Sequence, residues 1–186
     1  MKTKTLSERA AERDEMNRSH EDPFYLFALN DEAKDRLTRY IEEIPDTEEY
    51  WIPEKIPGDS REDFRVCDVH PPRRGTDVEL IGESILTRIN FKQYQFDINT
   101  FEFQVLRYKP GGRFDWHCDY GVAPNKKVWR KLSMSVQLSD PEDYEGGELV
   151  IVDYYNKYCT IPAKKGACVV FDSRCPHKAN PITKGV

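Results

Sequence analysis

The sequence predicts an α+β domain in which helices cover one face of an antiparallel β sandwich or barrel. Three observations carry that prediction. Apolar residues recur at helical spacing between residues 30 and 95. From residue 100 onward the chain breaks into short segments rich in Val, Ile, Tyr and Phe, with Pro, Gly or Asp every eight to twelve residues. A length of 186 residues suits one domain, and its helical stretch precedes its strands instead of alternating with them.

Taken in order, residues 1–22 are half charged, and their only large aliphatic residue apart from Met1 and Met16 is Leu6. Such a stretch cannot offset its ordering entropy by burial, so it reads as a charged tail or an exposed helix without chemistry, leaving 23–186 as a single domain. Leu37, Tyr40, Ile41 and Ile44 form the apolar stripe of a first helix, with Asn30 as its N-cap and Pro45 as its stop. A second helix opens on Thr76-x-x-Glu79, a capping-box pattern, and continues through Val78, Ile81, Ile85 and Ile89. The Pro- and charge-rich stretch between them, 45–75, reads as a long binding loop or lid. In the β core, 100–186, the expected strands are 101–108, 130–138, 147–155, 157–161 and 167–171.

Composition excludes several classes. Leu, Ile, Val and Phe number 42, enough with 10 Tyr and 3 Trp for one modest core, so the chain is not disordered throughout, collagenous or a coiled coil. The longest apolar runs are the six residues Phe24–Leu29 and the five of Ala167–Phe171, far short of the roughly 20 that span a bilayer. The N-terminus lacks the apolar run of a secretory signal. Five cysteines without a C-x-x-C pair point to reduced thiols and a cytoplasmic location. A net charge of -5 argues against nucleic acid as a partner, and the basic run Lys126, Lys127, Arg130, Lys131 reads as a solvated loop.

The chemistry concentrates around three residues. His117 and Asp119 stand two apart in GGRFDWHCDYG, so on an extended segment both side chains leave the same face. An isolated H-x-D pair is common. Its context is not, because a strand leads into it through Lys109-Pro110-Gly111-Gly112, and a later strand ends in DSRCPH, which places His177 just past it. Two imidazoles and one carboxylate can fill one face of an octahedron and leave three positions open, the pattern of non-haem Fe(II) oxygenases. His20 and His70 have no such context and read as non-ligands. Thiolate ligation by the flanking Cys118 or Cys175 is disfavoured, since Cys118 points away from the face shared by His117 and Asp119.

RYKPGGRFDWHCDYG, LSMSVQLSDPEDYEGGELVI and GACVVFDSRCPHKANPITKG, in that order, resemble the successive motifs of the Fe(II)/2-oxoglutarate-dependent dioxygenases. The branch they are most similar to is the prolyl-4-hydroxylase-like, PKHD-type group. The resemblance covers about 100–186 and implies a double-stranded β-helix (jelly-roll) core with the N-terminal helices packed on one face. It implies Fe(II) held by His117, Asp119 and His177, 2-oxoglutarate as co-substrate, O2 as oxidant and ascorbate as reductant. It further implies hydroxylation of a C–H bond, with a peptidyl proline the first choice and a small molecule or nucleobase the alternative. A metal-retaining β-sandwich binding module without turnover, and a zinc hydrolase, are the rivals outside this chemistry.

Tyr108 falls where the family has a Tyr that hydrogen-bonds the co-substrate. Ser133 and Gln137 share a strand face and join it as co-substrate residues, Gln137 standing where the family often has another Tyr. The family's basic partner for the far carboxylate would fall one position past Val186. The chain therefore reads as shortened at its C-terminus, with Lys184 the nearest substitute. Trp51, Arg73, Arg74, Trp129 and Arg130, from the 45–75 connection and the loop after Asp119, are the candidates for gripping a peptide or protein substrate.

Overall fold

The structure, a computed structural model, describes residues 23–57, 63–120 and 129–186. The tail of 1–22, His20, Lys126 and Lys127 lie outside the described residues. Among the described residues, twelve strands and two α-helices form a helix layer, a three-stranded sheet, a larger seven-stranded sheet and a two-stranded ribbon.

The three-stranded sheet has β10 (Ala167–Asp172) at its centre, flanked antiparallel by β1 (Phe24–Ala28) and β6 (Leu132–Val136). β10 is buried along its whole length because both its faces are covered. Cys168 and Val170 meet helix α2 (Asp77–Ile89) through Ile85, Leu86 and Ile89, whereas Val169 and Phe171 meet Ile151 and Ile161 of the second sheet's side. A strand buried on both faces must be apolar without alternation, which is why ACVVF has no polar residue among its five. Each such side chain contributes about 1.5–3 kcal/mol by leaving water.

Helix α1 (Asp31–Glu42) begins as expected, with the Asn30 side chain accepting the Ala33 N–H at 2.8 Å. The start of α2 differs from the capping box. Thr76 Oγ1 donates to Arg73 O, and Glu79 reaches past it to accept the Gly75 N–H at 2.6 Å. The loop before the helix is stabilised from both sides, one residue earlier than the sequence pattern suggests. A Cβ on Gly82 would run into the Phe103 ring, so the glycine lets that ring close onto the helix.

The 45–75 connection is a correction. It contains a hairpin, β2 (Ile52–Pro57) and β3 (Asp63–His70), that forms one end of the larger sheet. On β3 the buried positions are Arg65, Cys67 and Val69. A charged residue at an inward position breaks the apolar alternation that would have marked a strand. β1 was missed for a related reason: its five residues abut the α1 cap and are too few to show a period.

The larger sheet runs β2-β3-β5-β11-β8-β9, comprising β5 (Arg113–His117), β11 (His177–Ala179), β8 (Leu149–Val152) and β9 (Tyr158–Thr160). β4 (Val105–Arg107) pairs with the same β3. Asp68 lies opposite Arg107 and Arg65 opposite Phe114, so three steps along β3 match seven along β4 and β5. The four surplus residues bulge out as Lys109-Pro110-Gly111-Gly112. Gly111 takes φ +86, a region open to glycine, and its N–H donates to Ile182 O at 2.8 Å. Ile182 opens β12 (Ile182–Gly185), which pairs with β7 (Tyr144–Gly146) as a separate ribbon.

At the end of β10, Asp172 is 1 % exposed and accepts from Arg174 Nε and N–H and from the Tyr154 hydroxyl, each at 2.9 Å. Burial by itself would raise this carboxyl, but the Arg174 and Tyr154 hydrogen bonds outweigh it and hold the group below its ordinary value. A depressed carboxyl contributes stability that is complete above its unfolded value near 4 and is lost as pH falls through the folded one. Asp172→Asn is expected to cost about 2 kcal/mol at pH 7 and to flatten the loss of stability on acidification below about pH 4, measured by urea unfolding across pH.

Candidate metal centre

β5 ends on His117 and β11 begins on His177, and the two residues face each other directly across the antiparallel ladder. Their ring centroids are 4.1 Å apart. Three steps along β5, from His117 to Phe114, match two along β11, from His177 to Ala179, so β5 carries a bulge next to the site. β11 is held on its other side by β8, with Ile151 opposite His177. Asp119 follows two residues beyond the strand end, where the Tyr120 N–H donates to Ser173 O at 2.8 Å and fixes the backbone.

Both imidazoles are oriented by their own chain. His117 Nδ1 lies 2.7 Å from Asp115 O, and His177 Nδ1 lies 3.0 Å from Cys175 O. A carbonyl can only accept, so each Nδ1 carries the proton and each Nε2 keeps its lone pair. The rings are also packed: Phe114 stacks on His117 at 3.5 Å between centroids, and Phe171 meets His177 edge-on at 4.8 Å. Burial, with the charge of His177 second, pushes the His117 imidazole down to about 4, so it is neutral at pH 7.

The lone pairs converge. His117 Nε2 is 3.7 Å from Asp119 Oδ1, His177 Nε2 is 3.6 Å from Asp119 Oδ2, and the three donor atoms lie within 4.8 Å of one another. With bonds near 2.1 Å, donors on one octahedral face stand about 3 Å apart, so small side-chain rotations bring this set onto one ion. Two imidazole nitrogens and one carboxylate oxygen fit Fe(II) in donor type. Cys118 donates its thiol to Arg174 O at 3.3 Å, and Cys175 is buried in the core with its thiol pushed up to about 12, so neither is set up as a thiolate ligand.

Ser133 stands against Asp119: its Oγ donates to Asp119 Oδ2 at 2.6 Å. Tyr108 is enclosed near Cys67, Arg65 and Glu54; burial pushes its phenol up, so the hydroxyl remains a donor at any physiological pH. Gln137 lies four residues beyond Ser133, roughly 13 Å along an extended chain. Its amide donates to the Tyr144 hydroxyl at 3.1 Å. Lys184 is paired with Glu145 at 2.9 Å on the exposed β12–β7 ribbon.

The five proposed substrate residues split. Trp129 and Arg130 are at the mouth: Arg130 Nη1 is 3.8 Å from Asp119 Oδ1, and the Trp129 ring packs on Tyr120 at 5.1 Å. Trp51, Arg73 and Arg74 are a correction. Trp51 is 5 % exposed and lies under the Arg107 guanidinium at 4.3 Å, beside His70. His70 is bound through Tyr40 and the Tyr50 carbonyl and sits five residues along β3 from Arg65, about 16 Å at strand rise. Arg73 and Arg74 follow β3 in the exposed turn before α2, where the Arg73 carbonyl accepts the Thr76 hydroxyl. Polar and aromatic residues at that end brace α1 against the sheet.

Sequence reasoning missed Arg65, Phe114, Tyr120 and Ser173. Arg65 is 8 % exposed, pairs with Glu54 at 3.0 Å and stacks over Phe114 at 4.9 Å. Only strand alternation on β3 could have placed it inside.

A sheet sandwich with two opposed histidines and a carboxylate at one end defines the class of non-haem iron oxygenase folds. The profile of the 2OG-Fe(II) oxygenase superfamily matches residues 103–186. The chain also resembles PKHD-type hydroxylases. It is 37 % identical over 114 residues to the PKHD-type hydroxylase PiuC of Pseudomonas aeruginosa, covering 56 % of this chain and 50 % of that one. The chain thus spans about half the length of the curated relatives it matches. Among solved structures, a Pseudomonas putida prolyl-4-hydroxylase superposes with TM-score 0.70 at 20 % identity, covering 94 % of this chain and 92 % of that one. A Trichoplax adhaerens prolyl hydroxylase in complex with a hypoxia inducible factor peptide fragment gives TM-score 0.64 at 18 % identity, covering 98 % and 89 %. These likenesses establish the jelly-roll fold with helices on one face.

His177→Ala and Asp119→Ala are each expected to weaken Mn(II) binding by about 100-fold or more. Trp51→Ala is expected to leave that affinity unchanged while costing about 3–5 kcal/mol of stability. Metal titration followed by electron paramagnetic resonance, with thermal unfolding in parallel, checks both.

Proposed function

We propose that this chain is an Fe(II)- and 2-oxoglutarate-dependent hydroxylase acting on a peptidyl proline. The observation that carries the reading is the convergence of two Nε2 lone pairs and one carboxylate within 4.8 Å. When bound, Fe(II) and 2-oxoglutarate supply the oxidising power for C–H hydroxylation, with succinate and CO2 as co-products and ascorbate as the reductant that maintains the ferrous state.

The chain's own residues bind and orient. His117, Asp119 and His177 hold the ion on one face. The Tyr108 hydroxyl, kept protonated by burial, offers a hydrogen bond to a carboxylate of the co-substrate. Gln137, one residue past β6, commits its amide to the Ser139 carbonyl and the Tyr144 hydroxyl, so Tyr108 carries the co-substrate contact in this reading. Phe114 and Phe171 exclude water from the imidazole faces. Trp129 and Arg130 form the rim that meets the substrate: a flat aromatic face suits a proline ring, and the guanidinium suits a peptide carbonyl.

The peptide class draws support from the Trichoplax neighbour, which was solved with a peptide. A cytoplasmic setting is consistent with five free cysteines. Among the described residues, no helix is long and apolar enough to cross a membrane.

Protein loaded with Fe(II) and given 2-oxoglutarate and ascorbate is expected to release succinate, and to add one oxygen to proline-containing peptides by mass. Succinate release with oxygen added only to nucleosides or free amino acids would replace the peptide assignment. Metal uptake with no succinate under any substrate would leave a binding module in its place.

A further inference from the structure

Behind Asp119 lies a chain of buried hydroxyls that metal ligation alone does not require. Ser133 is 9 % exposed and Ser173 is fully buried. Ser133 Oγ is 2.6 Å from Asp119 Oδ2 and 2.9 Å from Ser173 Oγ. An ionised carboxylate only accepts, so the single Ser133 hydrogen goes to Asp119, and Ser173 must be the donor to Ser133. The direction of the relay is therefore fixed.

Ser173 cannot drift either. Its N–H donates to Lys131 O at 3.1 Å, beside the start of β6, and its carbonyl accepts the Tyr120 N–H at 2.8 Å. One residue thus holds the backbone next to Ser133 and the backbone next to Asp119, while its hydroxyl orients the group between them.

We infer that Ser133 and Ser173 are positioning residues that keep Asp119 a one-oxygen ligand and so hold a coordination position open for the co-substrate. The inference rests on the hydroxylase reading above. Turning Oδ2 onto the ion would take the Ser133 hydroxyl's acceptor away at a buried position, which a dry pocket penalises. Two imidazoles and one oxygen occupy three of six positions. A carboxylate binding through both oxygens would take a fourth, and a two-point co-substrate would then fill the sphere and leave no place for O2.

The test compares Ser133→Ala, Ser133→Thr and Ser173→Ala in the full chain with two titrations. One measures Mn(II) affinity by electron paramagnetic resonance. The other measures 2-oxoglutarate affinity of the Fe(II)-loaded protein without oxygen, by its visible charge-transfer band. Ser133→Ala is expected to lose about tenfold in 2-oxoglutarate affinity while Mn(II) affinity stays within about threefold; Ser133→Thr keeps both, and Ser173→Ala falls between.

Unchanged 2-oxoglutarate affinity in Ser133→Ala overturns the relay. So does an equal loss of both affinities, which a merely structural hydroxyl would produce. Should Ser133→Ala not fold, Ser173→Ala must by itself lower 2-oxoglutarate affinity at steady Mn(II) affinity, or the relay fails. Wild-type protein that takes up Mn(II) but never binds 2-oxoglutarate brings down the hydroxylase reading and the inference with it, a pattern distinct from a loss confined to variants.

Discussion

The direct opposition of His117 and His177 across one antiparallel rung is the constraint from which the site follows. The two strands are neighbours in the sheet although their histidines are sixty residues apart in sequence. A register slip of one residue would turn one imidazole to the other face of the sheet and leave Asp119 with a single partner. The fold guards against such a slip at several points. β11 is paired on both edges, the bulge in β5 pins the local register, and the carbonyls of Asp115 and Cys175 fix the tautomers from within each strand.

Burial and hydrogen bonding act together here. A histidine that is desolvated beside a second histidine becomes neutral, and a neutral imidazole with Nδ1 already donating has one lone pair left to offer. The phenyl rings of Phe114 and Phe171 narrow the ring orientations further. The protein thereby prepares two nitrogen donors without using an acidic partner for either. Its one carboxylate at the centre, Asp119, remains for the ion and is tied back through Ser133.

Much of this was legible from residue order. Five strands of the β core, β4, β6, β8, β9 and β10, fell where turn residues bound apolar segments, and ACVVF stood out because its strand is buried on both faces. β5, β7, β11 and β12 were not expected, being short and mixed in polarity. The Asn30 cap was legible because capping is local. The β2–β3 hairpin was not, since Arg65 occupies an inward position that alternation reserves for an apolar side chain. Its charge is compensated by Glu54 and by Gln104, partners that only the folded sheet brings within reach. The same blindness misplaced Trp51, whose aromatic character suggested a grip on substrate but whose ring lies beneath Arg107. The metal ligands were recoverable because their signal lies in short motifs at strand ends; Ser173, four residues before His177, sits in such a motif but signals nothing until its hydroxyl is seen against Ser133.

β10 has one further implication. It is sandwiched between the helix layer and the second sheet, and its continuation supplies both Ser173, which braces the aspartate, and Cys175, whose carbonyl sets the tautomer of His177. The helix layer is thus mechanically in series with the donor atoms, one peptide ladder away. Loosening of α2 would be transmitted as misalignment of the coordination face while most of the sheet remained intact, so the capacity to hold an ion should decline at milder stress than the fold itself.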